Sequence, residues 1–454
     1  MISRQSAISA VRFGYGLRPG ENAPSTPEGI ARQLRSAKSE VLLFPCEGAQ
    51  AVRERAIRTF NKRRDARKSL EGELLRDALR AIRQDNNQRF REDVNARIAQ
   101  SVASPNGFSE RLSSFWTDHF SVSFRKNEDM RLFTPLFEAE AIRPNLDGNF
   151  ATLLKSATLH PAMLFYLDQW LSVGPNSARA GKRGLNENHG RELLELHTMG
   201  AGSGYTQTDV RQAAFLLTGL TVDRIAARTI FDGKRAEPGS FSILDKSYGA
   251  ERDDIVEIEM FLDDLATRPE TARYISGKLA RYFLSENPPS DVVSNMIAVW
   301  TRTGGNLLAV YEAMLSASKA LAMPPQNIKQ PFDYVVSSLR ALGVDGNSLV
   351  VDRKLGNLVS YWLQRLGQPV WDPPSPEGFE SGRASWVNGN QLAGRIVIAR
   401  NIVRKFGRAP DPSLLAEHAL GPLLTENTKT LVERAPNRMA AVTLVLASPE
   451  FNLR

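Results

Sequence analysis

Apolar residues recur along this chain mostly at helical spacing. Leu112, Phe115, Trp116, His119 and Phe120 fall at i, i+3, i+4, i+7 and i+8, so all five share one buried helix face. Between Val52 and Gln100, one stripe runs through Ala56, Ile57 and Phe60, and another through Leu70, Leu74, Leu75, Leu79 and Ile82. Together they predict one or two long helices. A helix over 149–158 is followed by a second from Ala162 to Trp170, where Pro161 suits the first position because its missing N–H is not needed there. The glycine-bearing stretch 172–184, with Arg179, Lys182 and Arg183, reads as a loop.

A polar helix is expected over 186–197, stopped by Gly200, Gly202 and Gly204. Thr206 then caps the next, with Asp209 three residues on as in a capping box, and that helix runs to Gly219. The best strand candidates are Thr229-Ile-Phe231 and Ser240-Phe-Ser-Ile-Leu244, read as one hairpin. Helical spacing resumes over 255–266, 269–284, 289–303, 306–320, 331–342 and 353–366. The run Trp371-Asp-Pro-Pro-Ser-Pro-Glu-Gly378 cannot be helical, because its prolines remove donors and fix φ. Helices follow at 390–406 and 434–446. The expectation is a mainly α fold: one large multi-helix domain over 1–454, with a small β-hairpin near 229–244 and a C-terminal helical part after the loop 371–378.

Composition changes this picture little. Hydrophobic residues make up 42% of the 454 positions and charged ones 24%, as in globular proteins. No apolar run approaches the ~20 residues of a membrane span. The N-terminus lacks the apolar core of a signal peptide, so a cytoplasmic location is expected, with export alongside a partner left open. One cysteine, Cys46, rules out an intrachain disulfide and any cysteine-rich zinc site; it reads as a small, partly buried residue.

The net charge of +8 is localised: positions 51–100 hold 14 Lys and Arg against 8 Asp and Glu. A solvated, ion-paired helix face explains this, and a surface for an acidic partner is the alternative. No nucleic-acid motif accompanies it, and no nucleic-acid partner is expected.

Chemistry concentrates in Asn186-Glu-Asn-His-Gly-Arg-Glu-Leu-Leu-Glu-Leu-His197. On an α-helix Glu187, Asn188, Arg191, Glu192 and Glu195 share an arc of roughly 140°. Glu187–Arg191 and Arg191–Glu195 are both i, i+4 pairs of opposite charge, so a surface helix joined by its own ion pairs fits the spacing. Turned inward, the same face supplies a site. Glu192 or Glu195 would then serve as general base or metal ligand, Arg191 as orienter, and His119, Glu187 and His197 as ligands of a divalent ion, beside Asp118. Asp168 and Asp209 are further candidates. His119 alone in an apolar stripe also fits a hydrogen-bonded core histidine. The Glu-x-x-His pattern of di-iron bundles is absent, and His189-x-x-Glu192 is its reverse. Serine-hydrolase elbows, phosphate loops and His-Glu-x-x-His pairs are missing too.

Several ordered segments resemble a bacterial family catalogued as domain of unknown function 1800. They are Phe115-Trp-Thr-Asp-His-Phe120, Pro161-Ala-Met-Leu-Phe-Tyr-Leu-Asp168, the 186–197 segment, Gly204-Tyr-Thr-Gln-Thr-Asp-Val210 and Leu217-Thr-Gly219. Lys329-Gln-Pro-Phe332, Arg340-Ala-Leu342, Leu366-Gly-Gln-Pro369, Pro373-Pro-Ser-Pro-Glu-Gly378 and Ser448-Pro-Glu-Phe451 continue it across nearly the whole chain. The resemblance implies a bacterial protein and a protein partner of sulfatase or alkaline-phosphatase-like fold. This chain departs from the family pattern where Trp-His-Asn-His-Phe is usual: Thr117 and Asp118 replace one of two histidines. His189 stands for a usual tyrosine and Leu220 for a tryptophan, and no His–acid pair is visible over 234–249. Either Asp118 replaces the lost ligand with an oxygen or the site is degenerate. Two readings follow: a helical protein with a carboxylate/histidine pocket for metal-assisted hydrolysis, or a non-catalytic accessory protein that holds a partner.

Overall fold

The computed structural model describes residues 2–45, 47–181, 184–249, 254–406 and 411–454. Cys46, Lys182 and Arg183 lie outside the described residues. Among the described residues the chain is mainly α, 63% helical with two small two-stranded antiparallel sheets. No helix of the described residues is long and apolar enough to cross a membrane.

Two apolar clusters organise the helices. The first joins Phe13 and helix Pro27–Ala37 to helices between Gly107 and Leu321, around Trp116, Phe150, Phe283 and Trp300. The second joins the C-terminal half of helix Gly72–Ala103 to helices Pro331–Ala341, Arg353–Arg365, Gly389–Phe406 and Arg438–Ala447, around Tyr334, Trp362 and Trp371. The seam between them is polar and buried. Arg97 and Arg143 meet Glu110 and Glu138 there, and Arg111 and Arg454 meet Asp333. Charges this deep persist only because each faces an opposite charge.

Most predicted helices form, and the stripe in helix Gly107–His119 buries Leu112, Phe115, Trp116 and His119 as its spacing requires. Segment 51–100 becomes helices Ala49–Ser69 and Gly72–Ala103, broken where Gly72 takes φ 55°, a left-handed conformation that favours glycine. Four of its arginines are internal: Arg53 pairs with Glu140, Arg55 with Asp93, Arg63 with Asp129 and Arg97 with Glu138. The tip of this helical pair projects; Leu74 there is 70% exposed.

The β structure differs from expectation. Thr229–Phe231 and Ser240–Leu244 do not pair with each other. Leu220–Asp223 pairs with Arg228–Phe231, and Phe241–Ile243 with Lys246–Tyr248. Each run finds a nearer partner across a shorter turn, and the shorter loop closes at lower entropic cost. The helix before them also ends earlier, at Leu217.

Candidate functional site

Four elements converge beside the polar seam. Helix Gly107–His119 ends with Asp118 and His119, and helix Pro269–Phe283 presents Tyr274, Lys278 and Arg281 on one face at i, i+4 and i+7. The non-helical loop 372–381 roofs them, and the 188–198 segment packs behind His119 through His197 O. Between them lies a cavity of ≈ 290 Å³ lined by Asp118, Tyr274, Lys278, Arg281, Glu377 and Phe379, among others.

The loop is docked directly on Asp118. Phe379 N–H donates to Asp118 Oδ1 at 2.9 Å. Gly378 has φ 94°, and a Cβ there would sit 2.7 Å from both Asp118 O and Oδ1, so glycine alone fits. Burial pushes the Asp118 carboxyl up to about 6, against the Phe379 N–H and the charges of Lys278 and Arg454.

Lys278 Nζ lies 3.2 Å from His119 Nδ1, and His119 Nε2 lies 3.2 Å from His197 O. An ammonium only donates and a carbonyl only accepts, so His119 is the neutral tautomer with its proton on Nε2. Burial first, then Lys278 and His197, hold His119 well below its ordinary value. Burial lowers the Lys278 amine, and Asp118 and Glu377 oppose that shift while Arg281 adds to it.

The neighbouring segment is a short α-helix, Asn188–Glu192, that widens into a π-helical turn, Leu193–Thr198, in which Thr198 Oγ1 donates to Leu193 O at 2.7 Å. The extra residue in that turn changes which side chains face each other. Glu187 keeps its pairing with Arg191 at 3.7 Å and accepts from Gln207 Nε2 at 2.8 Å, while Arg191 also donates to Gln207 Oε1. Glu195 instead accepts from Tyr205 OH at 3.0 Å. Glu192 is pushed up by burial, then by Glu195 and Glu377, with Arg191 opposing.

A family model described as protein of unknown function (DUF1800) matches residues 9–453. The chain belongs to the DUF1800 family. No curated protein and no solved structure matches it.

In this DUF1800 protein Asp118 lines the cleft, whereas Glu192 and Glu195 lie outside its wall and act on it through charge, Glu192 with Glu377 and Glu195 with Tyr274. The expected ligand set of His119, Glu187 and His197 does not assemble. His119 and His197 are neighbours, with ring centroids 6.2 Å apart, but both His119 nitrogens are engaged. His197 Nδ1 is buried without a partner, and burial holds the ring at about 3. Glu187 is turned to Gln207. Among the described residues no group of three or more His, Cys, Asp and Glu is arranged to hold a metal ion. Asp209 is occupied as the expected capping box and by Leu244 N–H. Asp168 pairs with Lys126 away from the cavity.

Sequence reasoning missed Lys278, Tyr274, Arg281 and Glu377. The only signal was the Pro-rich run itself. A rigid, non-helical loop of that kind is often functional, but nothing in the chain says which helix it covers.

Proposed function

We propose that this protein is an enzyme using general acid–base chemistry for hydrolysis in the cleft beneath the Pro-rich loop. One observation carries this reading. Asp118 and Lys278, both displaced toward neutrality by burial, line the same cavity, and Glu192, displaced the same way, lies outside its wall within electrostatic reach of Glu377, which also lines it. Groups perturbed in this direction and gathered in a cleft are how one fold supplies an acid and a base near pH 7.

The roles follow from position. Lys278 is held by His119 Nδ1, which fixes the direction of one N–H and leaves the rest of the amine toward the cavity. Asp118 is positioned by the loop backbone, and a carboxyl near 6 can both take up and release a proton at neutral pH. Glu192 is the second carboxyl, outside the cavity wall and within electrostatic reach of Glu377. The metal-assisted version does not fit these residues, and no step is assigned to an ion.

Aryl ester, aryl phosphate and aryl glycoside substrates between pH 5 and 9 test this. Turnover of at least one class is expected, with a bell-shaped pH profile and a loss of about 100-fold or more in kcat/KM for Lys278→Met and Glu192→Gln. No turnover in any class, or full turnover in both variants, would sink it.

A second reading, a docking role toward a protein partner of sulfatase or alkaline-phosphatase-like fold, is favoured by the projecting tip of the basic helical pair. Arg63 is already committed to Asp129 and Arg64 to Asp65 there, so the free surface is carried by exposed residues such as Arg67, Lys68 and Arg76. Charge reversal of those three is expected to abolish co-purification of the partner while leaving the melting temperature unchanged. Undiminished capture would remove this surface from consideration.

A further inference from the structure

A second cavity, also ≈ 290 Å³, lies between helix Gly72–Ala103, the segment after His119 and helix Arg353–Arg365. It shares no lining residue with the cleft. Its wall carries Arg91, Arg125 and Arg131, and no carboxylate lines it.

That imbalance is unusual in this molecule, whose buried arginines are matched to acids at the seam. Arg125 is committed: its Nε pairs with Asp372 at 2.5 Å, and its head is mostly exposed. Arg91 and Arg131 have no ion pair among the described residues. Arg131 is half-buried, so part of its hydration is already lost without a compensating anion.

The rest of the wall suits a particular ligand. Phe90 and Phe124 stand with ring centroids 4.7 Å apart, and the guanidinium carbons of Arg125 and Arg131 each lie 5.6 Å from the Phe124 ring centre. Contacts of this kind steady an arginine fork, whose paired N–H groups can meet two oxygens of an oxyanion at once. Ser360 adds a hydroxyl donor. Asn87, whose Oδ1 is buried without a partner, can turn its amide N–H into the space. Phe90 and Phe124 both line the cavity, so its wall offers an apolar aromatic surface beside the charges.

We propose that this cavity binds a small organic oxyanion, a phosphate or sulfate ester of a planar group, with Arg91 and Arg131 taking the oxyanion and Phe90 and Phe124 the ring. The site is independent of the acid–base cleft and stands if that cleft proves inert.

Calorimetric titration of the full chain with phenyl phosphate, phenyl sulfate and inorganic phosphate tests it. Saturable binding of at least one ester is expected, tighter than inorganic phosphate and weakened by added salt. The tighter ester identifies the preferred headgroup. Arg131→Ala should weaken it about 10-fold or more, and Arg131→Lys less, since a point charge replaces a fork. Arg91→Ala is a second variant at an exposed position, where folding is not at stake, and it should also weaken binding. No saturable binding of either ester, or equal affinity in wild type, Arg131→Ala and Arg91→Ala, overturns the proposal.

Discussion

Glu138→Gln is expected to cost about 3–5 kcal/mol of folding stability, the penalty for breaking a buried ion network while its partners stay charged. The Glu138 carboxylate is fully buried, accepts three hydrogen bonds and forms a further ion pair. Oε1 pairs with Arg97 Nε at 2.5 Å and accepts from Arg143 Nε at 3.0 Å and Ser113 Oγ at 3.1 Å, and Oε2 accepts from Trp371 Nε1 at 2.8 Å. An amide must turn its N–H₂ toward either the arginines or the indole, and in both orientations donor meets donor. The two guanidiniums would then depend on Glu110 alone. Burial acts to raise the Glu110 carboxyl, but Arg143 and then Arg97 overcome it and hold the group at about 2.

Because Glu138 joins Arg97 of one cluster's long helix to Trp371 at the start of the Pro-rich loop, the loss should also loosen the roof of the cleft. Urea denaturation measures this as a lower midpoint at similar slope. A change under about 1 kcal/mol would show that the seam tolerates an unpaired arginine, contrary to what buried ion pairs require.

Asp118→Asn is expected to act in the opposite direction, and only at high pH. The folded carboxyl is raised to about 6 from an ordinary 3.8. A raised carboxyl contributes stability that is fully present below the unfolded value and is lost as pH rises through the folded one. Above pH 6 the wild type therefore carries an ionised, partly buried Asp118 at a penalty on the order of 1–3 kcal/mol. Asparagine is isosteric and uncharged, and its Oδ1 still accepts from Phe379 N–H. Asp118→Asn should be more stable than wild type at pH 8, with the gap shrinking as pH falls toward 4. Melting temperatures of both proteins between pH 5 and 8.5 check this. A gap that does not change with pH would mean Asp118 titrates normally.

The helix Gly107–His119 was legible because its burial depends on one period, and the Thr206–Asp209 capping box because it is local chemistry. The Glu187–Arg191 pair was legible for the same reason. The Arg191–Glu195 pair was not, since the π turn replaces it, and whether a helix widens depends on what it packs against. The two hairpins were misread because each candidate strand had a partner in a run too short and mixed to stand out. The basic segment looked like one surface, yet its arginines divide between internal pairs and the projecting tip, and spacing alone cannot separate them.

The order of residues therefore determined the helical class, most helix positions, the interruption at 371–378 and membership of the DUF1800 family. Those follow from periodicity, backbone chemistry and matching motifs, which act within short windows or survive as text. Tertiary structure decided the rest. It engaged both nitrogens of His119, brought Lys278 from another helix against that ring, and laid Gly378 and Phe379 on Asp118. Protonation depends on burial and on charges a few ångströms away, and only the folded chain sets those distances.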